Sequence, residues 1–313
     1  MNSITYAAVF QQELDKQMTA EAVTAWMDEN SGLAKYSGGN EIKIPKLSLD
    51  GLANYSRANG FQKGKLSLAW ETRIMRMDRG RSFTLDKNDV DESNFSLAAG
   101  TVMGEFQKVQ VVPEVDAYRI SQLFQSAGDN KRTYTPAASS IFKELKADIA
   151  AVQDKIGSGE PLVIMMSIPV AIILDTNDSV SRQLSVGDFR TGEISTQVKM
   201  VDQHPILLVP SARMKSAYTF WNGEADASTG EDSAKVYTDK AAGGFEAASG
   251  AKEINWIICA RNAPIGVCKT DTIRIFAPAE NPAADAWKID YRKYHDVWVP
   301  DNKVNGLFVN YKA

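Results

Sequence analysis

Two histidines, His204 and His295, are the whole imidazole complement of this chain, and they lie in unrelated contexts. No HExxH string or other close histidine pair occurs, so the spacing that would hold zinc is missing. No GxSxG elbow, phosphate loop of the G-x-x-x-x-G-K type or dinucleotide fingerprint after a strand is present. Asp86, Asn88, Asp89 and Asp91 have the carboxylate density of a calcium loop. With Asp86 as first ligand, however, Val90, Asp91 and Leu97 stand where a ligand, a glycine and a bidentate glutamate belong. The run reads instead as a capped turn, with Asp89 and Glu92 as a D-x-x-E helix start. His295-Asp296 has the residue types of an acid/base pair, but adjacent strand residues point to opposite faces. Tyr291-Arg292-Lys293-Tyr294 mixes rings and cations as a nucleic-acid platform does, yet its two tyrosines would face opposite sides of a strand, which indicates packing. Cys259 and Cys268 lie in apolar, strand-like runs and read as reduced core thiols without a disulfide framework. No catalytic, cofactor or metal site is expected.

The remaining chemistry is cationic. Arg57, Lys63, Lys65, Arg73, Arg76, Arg79 and Arg81 crowd one part of the chain. The elements around them have a period of two. Ile42 to Leu49 and Lys65 to Met77 read as long strands with polar residues on both faces, although Leu66, Leu68 and Trp70 share one side. Between them Asp50 to Gly64 forms a polar tip with an Asn59-Gly60 turn. Pro45 cannot donate to a ladder, so its strand is expected at an edge. A ribbon this long is marginal in water by itself and needs another surface to lie on. The seven cations are therefore candidate contacts between chains.

Around the ribbon the pattern is mixed. Phe10 to Met27 reads as a moderately amphipathic helix, ended by Gly32, and as a loose docking arm. After an acidic turn from Leu85 to Ser93, Phe95, Ala98, Val102, Phe106 and Val109 fall on one helix face. Pro113 should kink or break that helix, with a second piece over Glu114 to Phe124. Thr135-Pro136 looks like the start of the next helix, which stops at Gly157. Pro161 to Leu174 is shorter than the about 20 residues of a membrane span and reads as a buried strand region. Ile194 to Met200, Ile206 to Val209, Ile254 to Ala260 and Thr272 to Phe276 read as strands. Asn222 to Gly250 is poor in large apolar groups and reads as an exposed loop. Val297 to Val299 and Leu307 to Val309 flank Asn305-Gly306 as in a hairpin. Strands and helices do not alternate, so the class is α+β.

Composition bounds the function. With 313 residues and 44% hydrophobic side chains, an ordinary core is within reach. A formal charge of -4 argues against a protein that coats nucleic acid by overall charge. The first residues lack the basic start and apolar stretch of a secretory signal, so folding in a cytoplasm is the expectation.

Two sets of strings carry a resemblance. Asp78-Arg79-Gly80-Arg81-Ser82-Phe83, Leu85 to Phe95, and Ala98-Ala99-Gly100 through Val112-Pro113-Glu114-Val115-Asp116 form the first. Ala286-Trp287-Lys288-Ile289-Asp290-Tyr291-Arg292, His295-Asp296 and Lys303-Val304-Asn305-Gly306 form the second. Together they resemble the major capsid proteins of tailed bacteriophages, above all those infecting Gram-positive hosts. The resemblance implies the coat fold shared with encapsulins and the herpesvirus capsid floor. It implies an N-terminal arm (1–37), an extended β-hairpin loop (38–84), a peripheral domain with a long spine helix (85–132), an axial domain (133–280) and closing strands that return to the peripheral domain (281–313). It further implies a structural, non-enzymatic protein that assembles with itself into hexamers and pentamers of an icosahedral shell around double-stranded DNA, contacted weakly and without sequence specificity. The ribbon begins near residue 40 without a long preceding scaffolding segment, so a separate scaffolding protein and a portal are the expected partners, and no membrane is. The place of action would be the virion capsid, assembled in the host cytoplasm. Lys63 and Lys65 lie where some relatives crosslink, and no motif assigns either.

Three other readings stay open on sequence. One is an encapsulin-like compartment of the same fold. Another is an enzyme with a diffuse site near His204 or the Cys259 to Cys268 strands. The third is a tail or adhesion protein, against which the long mid-chain helices argue.

Overall fold

The structure, a computed structural model, describes residues 22–57, 60–86, 98–176, 184–191, 194–223, 237–238 and 243–313. From the amino-terminal side, a 3-10 segment, Ala25–Leu33, leads into β1 (Lys35–Gly38), β2 (Glu41–Leu49) and β3 (Leu66–Ile74). Then come β4 (Met77–Asp86), helix α1 (Ala98–Phe106), a π-helical segment (Gln107–Val111) and α2 (Val112–Ser126). The next part holds β5 (Lys131–Thr133), α3 (Ile141–Ile156), β6 (Leu162–Ser167), α4 (Ile168–Asp175), β7 (Leu184–Thr191), β8 (Ile194–Val201) and β9 (His204–Val209). Strands β10 (Tyr218–Trp221), β11 (Tyr237–Thr238), β12 (Phe245–Ala247), β13 (Ile254–Ala260), β14 (Ile265–Phe276), β15 (Ala286–Trp298) and β16 (Leu307–Tyr311) complete an α+β chain.

A mixed seven-stranded sheet runs in the order β5-β16-β13-β6-β9-β8-β7. All of β6 and all of β13 are buried, because α2 and α3 pack their apolar stripes over the sheet. A strand covered on both faces needs a continuous apolar run, and Leu162 to Met166 and Ile254 to Ala260 supply it apart from Asn255. Asn255 is accommodated by donating to the Tyr134 carbonyl (2.7 Å) and to Asn310 Oδ1 (2.8 Å). Behind it, the Asp148 carboxylate accepts from Asn310 (2.8 Å), Trp256 Nε1 (3.0 Å) and Arg132 (2.8 Å). The side-chain amides of Asn255 and Asn310 and the Trp256 indole N–H thus find partners inside the sheet, as a dry interior requires.

A second sheet, β14-β15-β4, is fully antiparallel and carries the long helix: Met103, Val111 and Val115 pack on Ile273, Ile289 and Tyr291. The ribbon sheet β1-β2-β3 is rooted on β14 through Ile42, Ile44, Met75, Ile265 and Val267.

Several sequence expectations are corrected. The Pro161–Leu174 run is strand only to Ser167; Pro169 falls in the first turn of α4, where its missing N–H costs nothing. Helix α3 starts at Ile141 instead of Thr135-Pro136, after a turn over 138–140. The break in the long helix is the π segment just before Pro113, which then opens α2. The buried helix face is also offset: Met103, Gln107 and Val111 point inward, while Val102 and Val109 are exposed. The Val297–Val309 hairpin does not form, since β15 pairs with β14 and β4 whereas β16 pairs with β13 and β5. Residues 77–86 are strand, so the acidic turn cannot begin at Leu85. Around Trp26 the backbone is a 3-10 segment running past Gly32, and the rest of the Phe10 helix lies outside the described residues, as does most of the capped turn after Asp86. Within Asn222–Gly250, Phe245–Ala247 is a strand paired to β10. Cys259 is buried as expected, but Cys268 is exposed. Strand β2 is central in its sheet, yet Pro45 lies past the end of β1, where the far side of β2 is open.

Candidate assembly surfaces

Ribbon register decides what its faces are. Pro45 pairs with Trp70, Leu47 with Leu68 and Leu49 with Leu66, so six apolar residues share one face. Polar residues were expected on both faces; only the opposite one, with Lys46, Ser48 and Ser67, fits that description. The apolar face has no cover within the described protomer: Leu47 is 53% exposed, Leu68 59% and Trp70 44%. At the tip Tyr55 and Phe61 meet edge to face at 5.0 Å and are themselves exposed. A contiguous apolar patch rimmed by polar groups marks an interaction site. The outer edge of β3 has no neighbouring strand among the described residues.

The seven cations divide. Arg57, Lys63 and Lys65 are exposed along the tip and the start of β3. Arg73 is held at the root by Glu71 and by Asp301 at 3.3 Å. Arg76 has an exposed side chain, while its backbone N–H donates to Asp296 Oδ2 at 2.9 Å. Arg79 works inside the protomer: it forks onto Glu114 (2.6 and 3.1 Å) and donates to the Trp221 and Gly244 carbonyls (2.6 and 3.2 Å). Arg81 turns toward Gly223 and Gly243. The structure thus brings Arg79 and Arg81 to one place and strings the others along the ribbon.

Neither histidine is paired for catalysis. His295 is buried edge-on to the Tyr118 ring at 5.7 Å, and its neighbour Asp296 accepts from Tyr118 Oη (2.8 Å) and from the backbone N–H of Arg76 and of Val297. Burial, reinforced by Arg119, Lys293 and Arg79, holds the His295 imidazole well below its usual range. Burial pushes the Asp296 carboxyl up, against the hydrogen bonds that it accepts. His204 meets Gln153 at 3.1 Å, and burial lowers it too. Burial alone pushes the Cys259 thiol up, which makes it inert. Tyr291 is buried in the sheet–helix core and donates to Asp271 at 2.8 Å, so it packs rather than presenting a stacking face. No group of three His, Cys, Asp or Glu among the described residues could hold a metal ion. No described helix is long and apolar enough to cross a membrane.

One feature escaped the sequence reading. Asp116 and Arg119, on α2, clamp the segment that leads in from the amino terminus. Asp116 accepts from Thr24 Oγ1 (2.6 Å), Thr24 N (3.1 Å), Val23 N (3.3 Å) and Arg213 (3.2 Å). Arg119 donates to Asp28 at 2.6 and 3.0 Å and to the Thr24 carbonyl at 3.0 Å. Asn30 adds two bonds to the Arg261 and Pro264 carbonyls. The signal was an acid and a base three apart, set among Val115, Ala117, Tyr118 and Ile120 of one helix.

Comparison with solved structures places this architecture. The capsid of cyanophage P-SCSP1u aligns with a TM-score of 0.57 at 11% identity, over 89% of this chain and 85% of that one. The capsid of Staphylococcus phage Andhra aligns at 0.54 and 13% identity, over 89% and 82%. The mature capsid of bacteriophage PhiM1 aligns at 0.54 and 11% identity, over 88% and 83%. The chain has the tailed-phage capsid fold. No family model matches it, and no curated protein is similar to it in sequence.

Proposed function

We propose that this chain is the major capsid protein of a tailed phage, assembling into hexamers and pentamers of an icosahedral shell that encloses double-stranded DNA. The observation that carries the reading is the apolar ribbon face, Leu47, Leu49, Leu66, Leu68 and Trp70, presented outward by a chain of capsid fold. Such a face is covered when the ribbon lies across a sister copy, and repetition around a closed shell sums many modest contacts. In this reading the arm is 1–37, the extended loop 38–84, the peripheral domain 85–132 and the axial domain 133–280; of the closing strands in 281–313, β15 lies in the sheet under the long helix and β16 joins the seven-stranded sheet of the axial part. Arg57, Lys63, Lys65 and Arg76 meet neighbouring copies, with Arg73 bracing the root of the loop. Arg79 and Arg81 serve within the protomer. The partners are further copies, a separate scaffolding protein, a portal and weakly contacted DNA, with assembly in the host cytoplasm and residence in the virion.

Electron microscopy of the purified full-length protein at low and high salt tests this, with the scaffolding protein of the same genome co-expressed. Closed, uniform shells are expected. Monomers in every condition would overturn the reading.

A further inference from the structure

A cavity of about 340 Å³ lies between β4, β15, the π segment with α2, and the end of β10. That is the volume of roughly ten waters. Its sheet wall is defined by register. Arg81 is opposite Tyr291 and Arg79 is opposite Lys293, and His295 follows two residues along β15 on the same face. Like charges directly opposite each other on a ladder destabilise it. Here an arginine and a lysine face one another with a second arginine beside them. Glu114 from α2 answers Arg79, and Asp271 from β14 answers Lys293.

Arg81 points its guanidinium at two glycines with positive φ. Its Nη1 lies 2.7 Å from where a side chain on Gly223 would begin and 3.3 Å from the same point on Gly243. Any other residue type at Gly223 would displace the arginine from the cavity wall. His295 is only 1% exposed, and its Nδ1 has no hydrogen-bond partner among the described residues. A buried polar atom without a partner is costly, and an arrangement that satisfies it is favoured.

We infer that this cavity binds a compact tetrahedral oxyanion, the phosphate group of inorganic phosphate or of a nucleic-acid backbone, through Arg81 and its sheet-face neighbours Arg79, Lys293 and His295. Arginine supplies the planar fork that matches phosphate. The imidazole becomes a double donor when protonated, and an anion beside it favours that form. Binding and proton uptake by His295 are therefore linked. The groups around the imidazole enter that linkage: Arg79 from β4, Lys293 two residues away on β15, Cys268 opposite it on β14, and from α2 Tyr118, bonded to Asp296, and Arg119, paired with Asp28. Burial and these cations keep it neutral until an anion offsets them.

The chain has two histidines, so carbon-13 histidine spectra of the full-length protein carry two imidazole signals, assigned with His204→Gln. Sodium sulfate, whose charge is constant over the titration, is compared with sodium chloride at equal ionic strength. The His295 pKa is expected to rise by about one unit in sulfate, with His204 unmoved. Arg81→Gln should abolish the rise, and Arg81→Lys should keep part of it. Circular dichroism on each variant confirms that the fold is retained. A His295 titration identical in sulfate and chloride overturns the inference, as does a rise that survives in Arg81→Gln. Inorganic phosphate and a short DNA duplex are then compared. A rise with phosphate alone assigns the site to the free anion, and a rise with the duplex assigns it to the nucleic-acid backbone.

Discussion

Replacing Leu47 and Leu68 together by serine separates folding from assembly. The two side chains pair across the ribbon and are 53% and 59% exposed, so the protomer gives them little cover. Fully burying a leucine contributes about 2 kcal/mol. Covering the exposed part of each therefore adds about 1 kcal/mol, and both together about 2 kcal/mol per docked ribbon. That corresponds to a contact roughly 30-fold weaker in the double variant. The protomer itself should change by no more than about 0.5 kcal/mol, as for other surface substitutions. Sedimentation across a concentration series measures the first quantity, and urea unfolding of unassembled protein measures the second. The concentration at which half the protein sediments as particles should rise by at least an order of magnitude while the urea midpoint holds. Unchanged assembly would refute the reasoning, and so would a protomer destabilised by about 2 kcal/mol, which would mean that the face packs on its own chain.

Other perturbations test the interior. The native His295 pKa is depressed, so below about pH 6.5 the unfolded chain binds more protons and stability falls with pH. Between pH 7.5 and 5.5 this residue should account for a loss of up to about 1.4 kcal/mol, absent from His295→Gln when the two proteins are melted in parallel. The buried carboxyls of Asp116, Asp148 and Asp296 are shifted up, which opposes this trend at more acid pH, and they are common to both proteins. Arg79→Gln removes a fork onto Glu114 and two carbonyl contacts at a site less than one-fifth exposed, and should cost about 2 kcal/mol in urea unfolding. Gly157 ends α3 at φ +93, where a Cβ is strained, so Gly157→Ala should lower stability by about 1 kcal/mol or more.

Legibility in the sequence followed the physics of each segment. Alternation at Ile42–Leu49 and Leu66–Ile74 and the unbroken run at Ile254–Ala260 announced strands, because a side chain on a pleated strand has two directions to choose between. Gly157 announced the end of α3 because a left-handed or strained backbone favours that residue type. Other features depended on tertiary context. Leu162 to Leu174 is apolar apart from Ser167, and periodicity cannot separate a buried strand from a buried helix; only the position of Pro169 held the clue. The inward face of the long helix is offset already at Met103, which is buried where Val102 is exposed, and the π segment then shifts the phase of the side chains again between Phe106 and Val112. Leu307–Phe308–Val309 looked like the partner of Val297–Trp298–Val299, but a 3-10 segment over Asp301–Gly306 hands the chain to another sheet. The apolar ribbon face was half visible as Leu66, Leu68 and Trp70, and its other half required the register that sets Pro45, Leu47 and Leu49 opposite them. Arg79 could not be separated from its basic neighbours, since its partners Glu114, Trp221 and Gly244 are remote in sequence.

Ordering of the ribbon by docking on sister copies is the central claim. Hydrogen exchange over residues 46–70, read in the unassembled protein and in isolated particles, addresses that claim directly. Fast exchange in the free subunit and strong protection in the particle is the predicted result. Equal protection in the two states would contradict it.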